Sequence, residues 1–555
     1  MLVARRRDDK SKDYAWQLIS ERLGAFALAL EQGNIQALVN LLQSGLVRNL
    51  GNITVPRLYS VSFAGTKYLI ENYILQVCEV ISDLAALPHL VSPGGSGGGV
   101  GPVPAAAVSG LHSLELARAV AEGRCKLRSP LQKKVLFSNL RQSFGQSTLV
   151  LQGGSIFGLC HLGVSRALFL RGLLPRVITG TGTGALVAAL VGIHADDELP
   201  AVLSGEKINL EAFSGRAGGA GDKGGLWAAG FRTRLATLRR RVARFWNEGY
   251  FLDVRVLEQL VRDNAGDLTF EEAFQRTGRV LNITVVAGGE GEVPSVLNYV
   301  TAPNVVGSPL SPPRRRRIST APADTAAQLI WSAAVASNAS DAAWYGRQKT
   351  PILCKNGRGE TTPWPLTDAV HFRHWSHGST PHGSRHPPLQ RVAQLFNVNH
   401  FVVSQSRPYL VPFLRPSMRP PDMRGPALAA LARLRHYAAA RAGHALRHRL
   451  RQLAGLGSLP GPLRRLLLDE TLPGEHLLLV PQVPWGDYAR LLDAPTPEGL
   501  RYWVRKGEKS VWPAVAALKI RCSVELAIRD AVEANLSESE RRKRSTLGLA
   551  KMRGR

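Results

Sequence analysis

The pattern of hydrophobic and polar positions first indicates helices. In residues 13–90 apolar side chains recur three and four positions apart, as at Leu23, Phe26 and Leu30, which is typical of helices that bury one face. A Gly/Pro/Ser-rich segment at 91–108 has the composition of a linker, and helical spacing returns at 110–145. The first quarter of the chain is therefore predicted to be helical, with one linker inside it.

From residue 147 the pattern changes to strand, loop and helix. An apolar strand is predicted at 148–151 and a helix at 161–173, and a second strand at 176–179 precedes another apolar helix. Two such units within about 45 residues are typical of a parallel α/β sheet. Further strands are predicted at 279–286 and 399–404, with helix again after 405.

A glycine-rich turn joins the second strand to its helix. Gly180-Thr-Gly182-Thr-Gly184 has the layout of a nucleophile elbow, G-x-S-x-G, in which a strained turn presents a serine. Here the serine position is Gly182, and Thr183 beside it is a fallback nucleophile candidate. The same turn, continued to Ala185, also matches the G-x-G-x-x-A dinucleotide fingerprint. No acidic residue is well placed about 20 positions later, so dinucleotide binding is the weaker alternative.

A second glycine-rich loop follows the first predicted strand. Gly153, Gly154, Ser155 and Gly158 stand between strand and helix, where backbone N–H groups can hold an oxyanion or a phosphate. A tight strand–helix connection is the structural alternative. Ser155 is a second fallback nucleophile candidate. His161, on the following helix, is expected to pack or cap rather than to act as a base.

These segments together resemble the patatin-like lipid acyl hydrolases, specifically the fungal and plant triacylglycerol lipase group. Residues 150–164 resemble the oxyanion loop of that family, 173–184 its elbow, 395–408 the segment after its catalytic aspartate, and 46–52 the N-terminal region of the lipase group. The resemblance implies an α/β fold, a three-layer sandwich with a mainly parallel sheet, flanked by N- and C-terminal helical regions. The implied domains are a helical region 13–90, a linker 91–108, a patatin-like domain 147–410 with an insert 306–328, a basic helical region 411–540 and a basic tail 541–555.

The resemblance also implies a Ser–Asp dyad and an oxyanion loop. The loop carries over to Gly153, Gly154, Ser155 and Gly158, and the elbow to Gly180 and Gly184. The nucleophile position is Gly182, however. The W-x-D-G-S motif best matches 375–379, which places His377 at the dyad acid and adds Ser379 as a nucleophile candidate; 382–384 is an equally short match that again supplies a histidine.

With both dyad positions replaced, the implied function is a lipid acyl hydrolase of this family whose activity is reduced or lost. The alternative is a lipid-binding or regulatory pseudoenzyme. The expected ligand is a neutral lipid or phospholipid, with no cofactor and no metal. Because related lipases reside on lipid droplets, an intracellular protein peripheral to a lipid droplet or the ER membrane is expected.

Charge adds a candidate partner surface. The 555 residues carry a net charge of +28, which favours anionic surfaces such as phospholipid headgroups. No zinc-finger spacing or RNA-binding aromatic signature points to nucleic acid. A basic helix predicted at 427–453 is typical of a membrane-surface element, with a solvated helix covering the core as the alternative. The positive clusters are 5–7, 314–317, 433–451 and 541–555.

Three further expectations concern the chain as a whole. The longest apolar run, Ala185 to Ile193, is about half of a transmembrane span. The five scattered cysteines favour a reducing compartment. The insert 306–328 separates segments that run together in relatives, and a lineage-specific loop and a gene-model error both remain open. The chain also begins within the N-terminal region of the family, so a missing upstream segment remains open as well.

Overall fold

The fold is that of a computed structural model, which describes most of the chain in separate ranges. These are residues 10–59, 65–87, 130–153, 156–209, 254–287, 294–301, 327–338, 352–355, 361–364, 372–374, 387–406, 474–488 and 496–535, with single positions at 116, 118 and between 418 and 456. The chain forms two compact units. The helical unit comprises Met1–Gln146, Ser417–Met423 and Pro513–Arg555, and the sheet unit comprises Ser147–Pro416 and Arg424–Trp512.

Up to residue 193 the regular elements follow one another in the order that the sequence pattern predicts. The helices are α1 (Trp16–Glu31), α2 (Ile35–Gly45), α3 (Tyr68–Ala86), α4 (Pro130–Phe144), α5 (Cys160–Leu170), α6 (Thr183–Ile193), α7 (Leu199–Leu203), α8 (Val254–Ala265), α9 (Phe270–Thr277), α10 (Ile330–Asn338), α11 (Pro388–Phe396), α12 (Trp485–Tyr488), α13 (Pro497–Val511) and α14 (Val515–Ala534). The strands are β1 (Gln146–Gly153), β2 (Val177–Gly182), β3 (Val280–Ala287), β4 (Pro294–Leu297), β5 (Ala327–Gln328), β6 (Ile352–Lys355), β7 (Thr361–Trp364), β8 (Phe372–His374), β9 (Val398–Gln405) and β10 (Glu475–Leu479).

The helical unit buries amphipathic helices against one another. Along α3 the buried residues include Ile70, Ile74, Val77 and Ile81, whose spacing of three and four residues places them on one face. The Asn34 side chain accepts a hydrogen bond from the Ala37 amide and begins α2, as expected of an N-cap asparagine. The helices predicted within 13–90 are therefore present as α1, α2 and α3.

Two buried arginines join distant segments of the helical unit. Arg48 donates to the carbonyl oxygens of Arg521 (2.6 Å) and Gly145 (3.3 Å) and pairs with Glu525 (3.1 Å). Arg521 in turn donates to the carbonyl oxygen of Thr54 at 2.8 Å. Both arginines are more than nine-tenths buried. Their hydrogen bonds place the C-terminal helix α14 in the same packed unit as the N-terminal segment.

The sheet unit contains a seven-stranded sheet in which most strands run parallel. The order is β10-β9-β1-β2-β3-β4, with β8 also paired to β3. The β1–β2, β2–β3 and β9–β10 pairs are parallel, whereas β4 and β8 are antiparallel to β3. A separate antiparallel sheet has the order β5-β6-β7. The predicted α/β class with a mainly parallel sheet is confirmed.

Helices cover both faces of the large sheet. Val280 of β3 belongs to a buried cluster with Leu389 and Val392 of α11. The next residue, Leu281, lies against Gly192 of α6, where an added Cβ would approach the Leu281 side chain to 3.2 Å. Because successive side chains of a strand point to opposite faces, α11 and α6 lie on opposite sides of the sheet. Helix, sheet and helix thus form the three layers that the family resemblance implies.

The sheet unit continues past residue 410, where the resemblance ends the patatin-like domain. The expectation of helix alone after 405 is wrong for Glu475–Leu479, which forms β10 and pairs with β9 from His400 to Ser404. The reason is that a short apolar run such as His476 to Val480 does not distinguish a buried strand from a helix. The domain boundaries themselves stay predictions.

Candidate functional site

The turn between β2 and α6 has the geometry of a nucleophile elbow. Gly182 ends the strand with φ 64° and ψ −130°, and α6 begins at Thr183. A positive φ is strained for residues with a Cβ, and such strain is what the elbow stores at its central residue. The position that the sequence assigns to the nucleophile therefore has the required backbone, but its residue carries only hydrogen.

The two outer glycines of the turn serve packing. A Cβ added at Gly180 would lie 2.6 Å from the Cα atom of Ala185, and one added at Gly184 would overlap the carbonyl oxygen of Leu151. Helix α6 thus begins in direct contact with the backbone of the sheet. This accounts for the G-x-G-x-G spacing without a bound nucleotide.

The glycine-rich loop begins level with this turn. In the parallel β1–β2 pair Gly153 is the partner of Gly182, and a 3₁₀ turn at Ile156–Leu159 then leads into α5. A Cβ added at Gly158 would overlap the side chain of Thr183. Loop and elbow are therefore in direct contact. Gly154 and Ser155 lie outside the described residues.

Hydrogen bonds from α10 support the elbow. The Gly182 amide donates to the Ser337 hydroxyl at 3.2 Å, and that hydroxyl donates to the carbonyl oxygen of Thr284 at 2.8 Å. The hydroxyls of Thr181 and Thr284 are 2.6 Å apart. Ser337 was not a sequence candidate, because nothing within its own helix signals a contact with a turn 155 residues earlier.

Among the described residues, no base is hydrogen-bonded to the fallback nucleophile Thr183. Its hydroxyl donates to the side-chain oxygen of Asn338 at 3.3 Å. An amide oxygen accepts a hydrogen bond but does not take up the proton, and a serine or threonine nucleophile needs a base that does. The remaining candidates, Ser155, His377 and Ser379, lie outside the described residues, as does the alternative match at 382–384.

His161 bridges the helix after the loop to the end of β9. Its Nδ1 and Nε2 atoms each lie 2.8 Å from a hydroxyl oxygen, of Ser404 and Ser406 respectively. The Ser406 amide donates to the carbonyl oxygen of Gln152 at 2.9 Å, next to Gly153. Burial lowers the pKa of His161 to about 3, opposed by a backbone hydrogen bond with Gln152. A neutral, fully bonded imidazole in this place holds the loop, in agreement with a packing role.

Helix α13 packs against the glycine-rich loop. Phe157 of the loop is buried against Trp503, with ring centroids 5.0 Å apart, and against Tyr488 at 5.5 Å. At the crossing of α5 and α13, a Cβ added at Gly163 would overlap the carbonyl oxygen of Val504. These contacts come from a region where the sequence predicted only a basic helical segment.

The crossing of α5 and α13 is symmetric in its use of glycine. A Cβ added at Gly507 of α13 would overlap the carbonyl oxygen of Cys160, and Arg166 forms an ion pair with Glu508 beside the crossing. A glycine inside an amphipathic helix is costly by itself. Gly507 was therefore the one local signal in the sequence that α13 approaches another backbone closely.

Within the described parts of the chain, no group of three or more His, Cys, Asp or Glu side chains is placed to hold a metal ion. No helix among the same residues has the length and apolar character needed to cross a membrane.

Comparisons with known proteins identify relatives of the chain. A domain of unknown function (DUF3336) matches residues 2–92, and a patatin-like phospholipase model matches residues 149–343. Triacylglycerol lipase ptl1 of Schizosaccharomyces pombe is 30% identical over 529 residues, which cover 95% of this chain and 79% of that protein. Triacylglycerol lipase SDP1L of Arabidopsis thaliana (27% identical) and triacylglycerol lipase 4 of Saccharomyces cerevisiae (27%) match 95% and 94% of this chain, but 55% and 48% of their own lengths.

Proposed function

We propose that this chain, which belongs to the patatin-like phospholipase family, binds acyl lipids at the elbow and glycine-rich loop but hydrolyses them weakly or not at all. The similarity to proteins named triacylglycerol lipase supports triacylglycerol, or a phospholipid, as the ligand class. The chain spans about half the length of two of these relatives, so substrate and activity are proposals here.

One observation carries the proposal of weak hydrolysis. Gly182 occupies the centre of the elbow with the backbone angles that a nucleophile has there, and it offers no oxygen to attack an ester carbonyl. By the motif match the dyad acid is His377. Without the nucleophile, oxyanion donors and binding alone leave about 10³–10⁴-fold over the reaction in water, far below a competent hydrolase.

The second candidate, a lipid-binding or regulatory protein without turnover, is favoured by how much of the frame is retained. The Gly158–Thr183 contact and the Phe157–Trp503 pair hold loop and elbow together. We propose further that the protein is peripheral to a lipid droplet or the ER membrane and reaches that surface through basic segments. The net charge of +28 supports this.

The test is triolein hydrolysis on an emulsion by the full chain. Wild type should release no more fatty acid than a heat-inactivated control, whereas the Gly182→Ser, His377→Asp double variant should gain activity. The matched control is Gly182→Ala, His377→Asp, which has the same backbone strain and no hydroxyl, and it should stay inactive.

Two outcomes contradict the proposal. Fatty-acid release by wild type as fast as by the double variant would reveal another nucleophile, and a fluorophosphonate probe followed by Thr183→Ala and Ser155→Ala would locate it. The second outcome is a folded double variant that is inactive and does not bind a fluorescent triacylglycerol analogue. This result would contradict the proposal that the elbow and loop form an acyl-lipid site.

A further inference from the structure

Helix α13 has an exposed face that its packing does not use. Arg501, Arg505 and Lys509 are exposed and follow one another at intervals of four residues, and Trp512 comes three residues later with 57% of its surface exposed. At about 100° per residue these four positions fall within roughly 80° of the helix circumference. We call this set the α13 stripe.

The other side of α13 is fixed to the candidate site. Trp503, Val504 and Gly507 are buried against α5 and the glycine-rich loop. A helix of this kind normally turns its polar face to solvent, and the stripe is that face. Its position relative to Phe157 is thus set by the same helix.

The cations of the stripe have no acidic partner among the described residues. On the same helix Glu508 pairs with Arg166, and Lys506 pairs with Asp487 at 3.8 Å. Glu498, exposed in the first turn, lies one turn before Arg501 and forms no ion pair with a described residue. Among the described residues the face therefore carries three positive charges without an ion-pair partner, and it ends in an exposed tryptophan.

We infer that the α13 stripe docks the protein on an anionic phospholipid surface. Basic side chains near such a surface are attracted to its headgroups, and tryptophan prefers the headgroup level, where its ring is apolar and its N–H is hydrated. A row of cations that ends in one exposed Trp matches the charged headgroups and the headgroup level of such a surface. The choice of lipid as partner rests on the proposed function.

Docking by the stripe would place the glycine-rich loop at a fixed distance from the lipid. Trp503 holds Phe157 on one side of α13, and the stripe lies on another side of the same 15-residue helix. Trp503 lies roughly 120–180° around the helix from the stripe positions. The loop would therefore lie behind α13, on the side away from the bound surface, in an orientation that the helix already sets.

The experiment is co-sedimentation of the full chain with phosphatidylcholine vesicles, with and without phosphatidylserine. Wild type should bind the phosphatidylserine vesicles, and high salt should weaken binding because it screens exposed charges. The Arg501→Gln, Arg505→Gln, Lys509→Gln variant should bind roughly 100-fold less, at about fivefold per cation near an anionic surface. Trp512→Ala should also weaken binding, and the size of this loss should not depend on the salt concentration.

Two controls separate the stripe from net charge and from folding. Lys12→Gln, Lys134→Gln, Arg141→Gln removes the same number of exposed cations elsewhere and should bind as wild type. Arg501→Lys, Arg505→Lys keeps the charge and should keep the binding. Thermal unfolding midpoints equal to that of wild type show that each variant is folded.

The inference is overturned if the triple glutamine variant of the stripe sediments with vesicles as wild type does. It is equally overturned if wild type does not bind the phosphatidylserine vesicles, whether or not it binds an oligonucleotide or an acidic polypeptide through these residues. Vesicle binding is measured without turnover, so its failure leaves the triolein result standing, and the reverse also holds.

Discussion

In the helical unit distant segments are joined by long side chains, whereas in the sheet unit they are joined where side chains are missing. Arg48 and Arg521 span the gaps between residues 48–54, 145 and 521–525 with guanidinium groups. Gly163 and Gly507 instead let α5 and α13 touch through their backbones. The candidate site lies in the sheet unit, where close backbone contacts at glycines fix the positions of the helices.

The two solutions fail in different ways. If a buried guanidinium loses its partner, its charge is left unpaired, and if the guanidinium is removed, its carbonyl acceptor loses a hydrogen bond. Either change has a large electrostatic cost. A glycine that gains a methyl group forces two backbones apart, and the cost is then one of packing. Three substitutions and one pH dependence test how each unit is held together, and they are given from the largest expected effect to the smallest.

Replacing Arg48 by Met should cost the most. It removes the ion pair with Glu525 and the hydrogen bonds to two carbonyl oxygens, and breaking a buried pair typically costs about 3–5 kcal/mol. Urea unfolding measures the loss. Arg57→Met is the control, because that side chain is 83% exposed, and it should change stability by less than about 0.5 kcal/mol. A loss below about 1 kcal/mol for Arg48→Met would show that the arginines do not hold the unit.

Replacing Gly163 by Ala should cost about 3 kcal/mol, since the methyl group would overlap the Val504 carbonyl oxygen. Separation of α13 from α5 should also expose Trp503, so its fluorescence should shift to longer wavelength. Gly486→Ala in the same unit is the matched control, because nothing lies within 4 Å of its added Cβ. If Gly163→Ala behaves like that control, the crossing is looser than direct backbone contact.

Acid should weaken the sheet unit through His161. Its pKa in the folded protein is lowered to about 3, so between that value and the ordinary 6.5 the unfolded chain binds more protons than the folded one. Stability therefore falls as the pH drops below about 6.5, by about 2 kcal/mol between about pH 7.5 and about pH 5. Urea unfolding of wild type and His161→Gln at both pH values measures it, and an equal loss in both proteins would exclude His161 as the cause.

The smallest effect is expected at Gly24 in α1, and it should be stabilising. Nothing lies within 4 Å of a Cβ added there, and alanine is favoured over glycine within a helix by up to about 1 kcal/mol. A rise in the thermal midpoint of Gly24→Ala would show that the fold does not require glycine at this position, in contrast to Gly163. A fall would show that α1 uses close approach as well.

Short-range order was well predicted, because it is encoded in neighbouring residues. The strands β1, β2, β3 and β9 and the helix α6 follow from apolar runs and glycines within a few positions of one another. The elbow turn at Gly182 was predictable for the same reason. The strand β10 was not, because its apolar run lacks a period that separates strand from helix.

By itself, the sequence determined that a strand, a tight glycine turn and a helix stand at 177–193, and that the central residue has no hydroxyl. Only the tertiary structure decided what surrounds that turn. Ser337, which contacts the turn, and Ser404, Ser406 and Trp503, which hold the neighbouring loop and His161, lie about 155 to 320 residues after Gly182. Local spacing fixes backbone shape, but which distant side chains meet depends on sheet order and helix crossing, and no short pattern records those.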